Sequence, residues 1–230
     1  MRDAAMLSPV TILVLSVCAA ATAIACIVAD GRGRRGLVYL CKPLTMLWIL
    51  ALAAFAVPET TGLYRNLILL GLGFSLAGDI FLMLPSDRFV SGLASFLVAH
   101  LLYIAAFASD VSIPAWGALV ALLAVAVPTY SVLQPRLGRL RVPVAIYTMA
   151  IVGMAWQASA RWLENGDGGA LLACSGALLF VVSDAALARN RFGASFQHDQ
   201  TLVLGTYFSA QWLIALSVGG GAMLCANFGA

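Results

Sequence analysis

GFSLAGDIFLMLPSDRF, residues 73–89, decides the fold, because it sets one carboxylate, Asp79, inside an apolar run that continues toward the amino terminus. An ionised side chain at the centre of a spanning helix costs about 2.5–3.5 kcal/mol or more, so such a residue faces the protein interior and has a partner or a task there. Apolar runs of the same kind recur on both sides of it along all 230 residues. The chain is 62% hydrophobic and 10% charged, against roughly 25% charged in a soluble domain. That excludes a soluble globule and leaves almost nothing outside the membrane. The chain therefore reads as a single integral membrane domain over 1–230.

Prolines, glycines and charges divide the sequence into eight apolar segments, at 9–29, 37–57, 65–84, 89–109, 112–133, 141–162, 168–188 and 201–224. Each is close to the ~20 residues that cross ~30 Å of hydrocarbon as a helix. Strand alternation is absent, so the expected fold is an all-α polytopic transmembrane bundle of about eight spans. Pro9, Pro58, Pro85, Pro114, Pro135 and Pro143 fall at or just outside the segment limits, where a missing N–H is harmless; Pro43 and Pro128 fall inside and are placed to kink their spans. The first run is as long as the others and reads as a retained span, not a cleaved signal.

Lys and Arg accumulate on the cytoplasmic side of short loops. With the amino terminus outside, the first, third, fifth and seventh loops and their flanks hold Arg32, Arg34, Arg35, Lys42, Arg88, Arg136, Arg139, Arg141, Arg189 and Arg191, which is ten of the thirteen basic residues. Arg2, Arg65 and Arg161 fall on the other side. Both termini are accordingly expected to be extracytoplasmic. The arginine runs then act as topology determinants, with no nucleic-acid partner, and their other use is attraction of phospholipid head groups.

This orientation gives each embedded polar residue a depth. Asp79 and Asp184 each stand a few residues short of the cytoplasmic end of a span, roughly 6–8 Å deep at 1.5 Å per residue. Lys42 enters from the same side to a similar depth, Tyr147 and Tyr207 lie slightly deeper, and His100 and Gln211 lie near the middle. Tyr103 is three residues past His100 and Gln211 four past Tyr207, so each pair shares a helix face. The third and seventh spans share a rough pattern, GDIFLMLPSDRF beside SDAALARNRF, and run in the same direction, as in a duplicated four-helix half. Two carboxylates at one depth can divide acid and base roles if their surroundings differ, and Lys42 beside one would keep that one ionised. Lys42 with one aspartate can equally be a structural ion pair.

The other features have structural readings. Cys18, Cys26, Cys41, Cys174 and Cys225 show no CxxC spacing and read as small buried hydrophobes. The only histidines are His100 and His198, so no three-histidine metal set exists, and neither a metal nor a cofactor is expected. Gly71, Gly73, the small residues around Ser75, Ala77 and Gly78, and Gly219 to Gly221 suit close helix approach or flexible ends. Trp116 and Trp162 suit an interfacial belt, while Trp48, Trp156 and Trp212 lie deeper.

The motifs CKPLTM at 41–46, FSLAGDIFLML at 74–84, FVSGLASFLVAHLLYIAAF at 89–107, GALLFVVSDAALARNRF at 176–192 and YFSAQWLIA at 207–215, taken in this order, resemble the lysoplasmalogenases, whose bacterial members are the YhhN-like membrane proteins. The resemblance implies about eight spans and hydrolysis of the vinyl ether bond of a lysoplasmalogen to a fatty aldehyde and a glycerophospho-base. It matches Lys42, Asp79, His100, Asp184, Tyr207 and Gln211. Asp79 and Asp184 are then expected to be catalytic, with Lys42, His100, Tyr103, Tyr147, Tyr207 and Gln211 supporting them or the substrate. The expected partners are a lysophospholipid and the bilayer, and the expected location is the cell membrane, a bacterial inner membrane. Two other classes stay open: a proton-coupled transporter or lipid carrier using the same carboxylates, and a scaffold in which they only hold helices together.

Overall fold

The computed structural model describes residues 9–56, 60–86, 88–193 and 199–219. Eight helices occupy almost all of them: α1 (Pro9–Gly31), α2 (Arg35–Phe55), α3 (Gly62–Met83), α4 (Phe89–Ala108), α5 (Trp116–Leu133), α6 (Arg141–Asn165), α7 (Gly168–Phe192) and α8 (Asp199–Leu216). All eight are long and apolar enough to cross a membrane, and the protein is a multi-pass membrane protein. Two short 3-10 turns, Gln134–Arg136 and Gly138–Leu140, join α5 to α6.

The helix limits follow local chemistry. Thr61 caps α3, its hydroxyl accepting the Tyr64 N–H at 3.2 Å, and Asp167 caps α7, its carboxylate accepting the Ala170 N–H at 2.7 Å. Gly166 closes α6 in the left-handed region at φ 67°, three residues beyond the expected end. Helix α7 also outruns its expected limit, reaching Phe192, because Arg189 and Arg191 in its last turn suit the negative end of the helix dipole. Pro43 and Pro128 both lie inside helices, as expected. Arg2, Pro58, His198, Gly220, Gly221 and Cys225, and the chain ends on which terminal orientation was read, lie outside the described residues.

The helices form a ring of six with two outriders. Helices α2, α3, α4, α6, α7 and α8 pack in that order, and α8 closes the ring against α2. Helix α1 lies outside against α2 and α8, and α5 lies outside against α6. Each half of the chain thus contributes one outrider and three ring helices, the pattern that the shared motifs of the third and seventh spans suggested. Close approach depends on particular glycines. A side chain at Gly78 would stand 2.7 Å from the Phe96 ring, and one at Gly176 would stand 2.8 Å from the Ala210 carbonyl oxygen across the α7–α8 contact. Gly73 makes no such approach, contrary to expectation; an added Cβ there meets nothing within 4 Å.

The connections after α1, α3 and α7 converge at one end, where Arg35, Arg88 and Arg191 surround a common cavity. The opposite end is held by polar contacts that composition did not announce. Arg161 is buried, 3.7 Å from Asp110 and 4.5 Å over the Tyr64 ring, and Tyr64 shares a 2.7 Å hydrogen bond with Ser217. The cysteine reading needs one correction: Cys26 and Cys174 are buried, but Cys18 and Cys41 are only half-buried. Trp116 and Trp162 are exposed at their helix ends, as an interfacial belt requires.

Candidate active site

The cavity at the basic end holds about 460 Å³ and is walled by α2, α3, α4, α7 and α8, with Asp30 of α1 at its edge. Lys42, Asp79, Asp184 and Tyr207 lie on its wall. Lys42 Nζ is 2.9 Å from Asp79 Oδ1, and the Tyr207 hydroxyl donates to Asp79 Oδ2 at 2.7 Å. Asp79 itself is 1% exposed, so both of its oxygens meet charged or hydroxyl partners inside the protein. A charge partner and a hydroxyl donor at these distances offset the cost of burying an ionised carboxylate.

Asp184 has a different set. The Tyr147 hydroxyl donates to Oδ2, and His100 Nε2 stands 3.8 Å from the same oxygen, beyond hydrogen-bond length. Neither nitrogen of the fully buried His100 makes a hydrogen bond. The ring is instead clasped edge-on by Tyr147 and Phe180, with centroids 5.1 and 4.8 Å away. Phe96, Phe180 and Tyr207 pack edge to face between the two aspartates' neighbourhoods.

These partners follow the duplicated plan. Each aspartate sits on the third helix of its half. Each takes one partner from the second helix of its own half, Lys42 or Tyr147, and one from the fourth helix of the other half, Tyr207 or His100. The equivalence breaks in one place: α2 supplies a cation where α6 supplies a neutral hydroxyl. Two carboxylates on equivalent helices thereby acquire unlike surroundings.

Tyr103 and Gln211 lie one layer deeper. The Tyr103 hydroxyl donates to Gln211 Oε1 at 2.8 Å, and both residues are fully buried and off the cavity wall. His100 and Tyr103 therefore serve different partners despite their shared helix face. Sequence reasoning missed Phe96, Phe180 and Ser183. Phe96 stands four residues before His100 and Phe180 four before Asp184, a spacing that puts each pair on one face and could have found both aromatics. Ser183 lines the cavity next to Asp184, its hydroxyl bonded at 3.1 Å to the Val203 carbonyl. Among the described residues, no three His, Cys, Asp or Glu side chains cluster where they could hold a metal ion.

A second, apolar space of about 100 Å³ lies on the other side of Asp184, among α4, α5, α6 and α7. Leu82, Phe89, Phe96, Asp184 and Leu187 border both spaces. Asp184 therefore faces a polar, arginine-rimmed chamber on one side and a hydrocarbon-like one on the other.

Fold and site together define a multi-pass helical membrane protein with a buried two-carboxylate centre open toward one end of its bundle. The chain belongs to the YhhN family, whose model it matches over residues 37–218. It is 35% identical to the bovine (Bos taurus) protein named lysoplasmalogenase TMEM86A, over 77% of this chain and 75% of that one. It is 37% identical to human lysoplasmalogenase TMEM86B, over 74% of this chain and 71% of that one. A bacterial relative, the membrane protein YhhN of Shigella flexneri, is 29% identical over 83% of this chain and 91% of its own. No solved structure matches the chain. The matched region contains every residue of the two-aspartate centre.

Proposed function

We propose that this protein hydrolyses the vinyl ether bond of a lysoplasmalogen, releasing a fatty aldehyde and a glycerophospho-base, with Asp184 as the proton donor. The observation that carries the assignment is the unequal pairing of the two aspartates. Asp79 has a lysine 2.9 Å away and holds its charge against it. An ionised Asp184 has a hydroxyl and an imidazole 3.8 Å off where Asp79 has a lysine at 2.9 Å, so Asp184 is the carboxyl assigned the transferable proton. The names of the bovine and human relatives support the substrate class.

Asp184 protonates the vinyl carbon farther from the ether oxygen, leaving an oxocarbenium ion at the carbon bonded to that oxygen. The negative charge on Asp184, the Asp79 carboxylate across the cavity and the aromatic faces of Phe96 and Phe180 stabilise the cation, as carboxylates do in glycoside hydrolysis. Water adds to the cationic carbon and loses a proton to Asp184. The hemiacetal then collapses: its hydroxyl proton leaves, the carbon–oxygen bond to glycerol breaks, and the glycerol oxygen takes up a proton. One water is consumed.

The arginine rim of Arg35, Arg88 and Arg191 suits the phosphate of the head group, and its basic character supports a cytoplasmic location for this end of the bundle, in the cell membrane. The test is purified protein in liposomes given a lysoplasmalogen in D₂O. The proposal requires aldehyde carrying one deuterium next to the carbonyl; absence of aldehyde, or solute movement down a proton gradient without it, sinks the reading in favour of a carrier.

A further inference from the structure

Resting on the hydrolase reading, we infer that the cleft between α5 and α6 is the seat of the substrate's single hydrocarbon chain, entered sideways from the lipid. Next to the apolar space beside Asp184 lies a third space of about 410 Å³ between these two helices. Ala126, Tyr130, Thr148 and Val152 line both, so the two spaces adjoin and together mark an apolar path from Asp184 toward the bundle's outer face. From the level of Tyr147 to that of Trp156 the path runs about 14 Å along α6 at 1.5 Å per residue. That is close to one leaflet's half of a ~30 Å hydrocarbon core. A chain lying in the cleft keeps the direction it has in the leaflet while its head group sits at the arginine rim.

Helix α5 is built to yield. Only 6% of its span is buried, and Leu133 is its one buried residue. It is fastened at its ends: Trp156 Nε1 donates to the Ala115 carbonyl at 3.0 Å, and the Tyr130 hydroxyl donates to the Arg141 carbonyl at 3.0 Å. Between these fastenings the α5–α6 seam is the apolar cleft. The equivalent outrider, α1, is pinned along its middle instead. Thr45 donates to Thr22 at 2.9 Å, and Trp212 Nε1 donates to Ser16 at 3.1 Å. The small space there, about 230 Å³, shares no residue with the aspartate cavity. Of two equivalent seams, the one beside the proposed acid adjoins the space at its aspartate and the one beside the ion pair does not. Because a lipid tail leaves one hydrocarbon medium for another, the cleft selects by shape and not by hydrophobic gain.

Ala126→Phe narrows the junction of the two apolar spaces; Val120→Phe adds the same bulk on a face of α5 that lines neither. The first variant should lose about tenfold or more in kcat/KM for a hexadecenyl lysoplasmalogen and less than about twofold for an octenyl one, and the second should change neither. Equal losses for both chain lengths in Ala126→Phe overturn the inference. An independent readout needs no turnover: lysophosphatidylethanolamine with a diazirine at its tail, photolysed on the full-length protein, should label residues 119–130 and 145–156 in wild type and lose that labelling in Ala126→Phe. Groove labelling without aldehyde release would retain the chain site and discard the hydrolase reading. Aldehyde release with labelling spread evenly over lipid-facing helices would do the reverse, as would labelling equally displaced by ordinary phospholipid.

Discussion

Replacing Lys42 by Met should destabilise the protein more than replacing Lys42 and Asp79 together. The pair is 2.9 Å apart, with Lys42 11% and Asp79 1% exposed. At an effective dielectric near 20, unit charges at that distance attract by about 6 kcal/mol. Much of this offsets the cost of dehydrating both ions, but removing one partner leaves the other buried and unpaired, a loss of about 3–5 kcal/mol. Tyr207 remains as a donor to Asp79 and cannot replace a charge. For a chain of this length the loss corresponds to a Tm lower by roughly 6–20 °C. In Lys42→Met/Asp79→Asn the orphaned charge is gone and the amide oxygen still accepts from Tyr207, so at least about 2 kcal/mol should return. Thermal unfolding in detergent followed by circular dichroism reads both, and the double variant should still release no aldehyde. A Lys42→Met protein as stable as wild type, or a double variant no better than the single, would refute the ion-pair account.

Three further outcomes follow from the geometry. Tyr147→Phe removes the hydroxyl donor to Asp184 and should slow aldehyde release by about 10–100-fold, less than the ~10²–10⁴-fold that a proton donor contributes, with the fold retained. Gly176→Ala sets a methyl 2.8 Å from the Ala210 carbonyl oxygen, which is backbone and cannot turn aside, so stability should fall by about 1–3 kcal/mol in the same unfolding assay. In a background with all five cysteines replaced by Ala, Ser112→Cys should react with a membrane-impermeant thiol reagent on intact cells and Ser86→Cys should not; the reverse pattern overturns the assigned orientation.

Much of this was legible because the bilayer makes sequence explicit. Apolar length fixed seven of the eight spans within about four residues, the eighth helix ending at Leu216 and not near 224, and the cost of a charge in hydrocarbon picked out Lys42, Asp79 and Asp184 without any contact being known. What periodicity could not supply was rotation. His100 and Tyr103 share a face by spacing, yet one turns to Asp184 and the other to Gln211, because the neighbours around α4 differ along its length. Arg161 was placed only on the outer side, and its burial over Tyr64 was not legible, since its partner Asp110 comes from a distant loop. The α5–α6 cleft left no sequence signal at all: a lipid-facing helix and a cleft-lining helix are equally apolar.

The central claim is that Asp184 supplies the proton. Aldehyde release by Asp184→Asn, measured beside wild type in the same liposomes and with its fold checked by Tm, tests it directly. The account predicts a rate lower by about 10²–10⁴-fold with Tm nearly unchanged, because the amide keeps the Tyr147 hydrogen bond and loses only the transferable proton. A folded Asp184→Asn protein that releases aldehyde within about threefold of the wild-type rate would contradict it, since a donor worth ~10²-fold or more cannot be removed so cheaply.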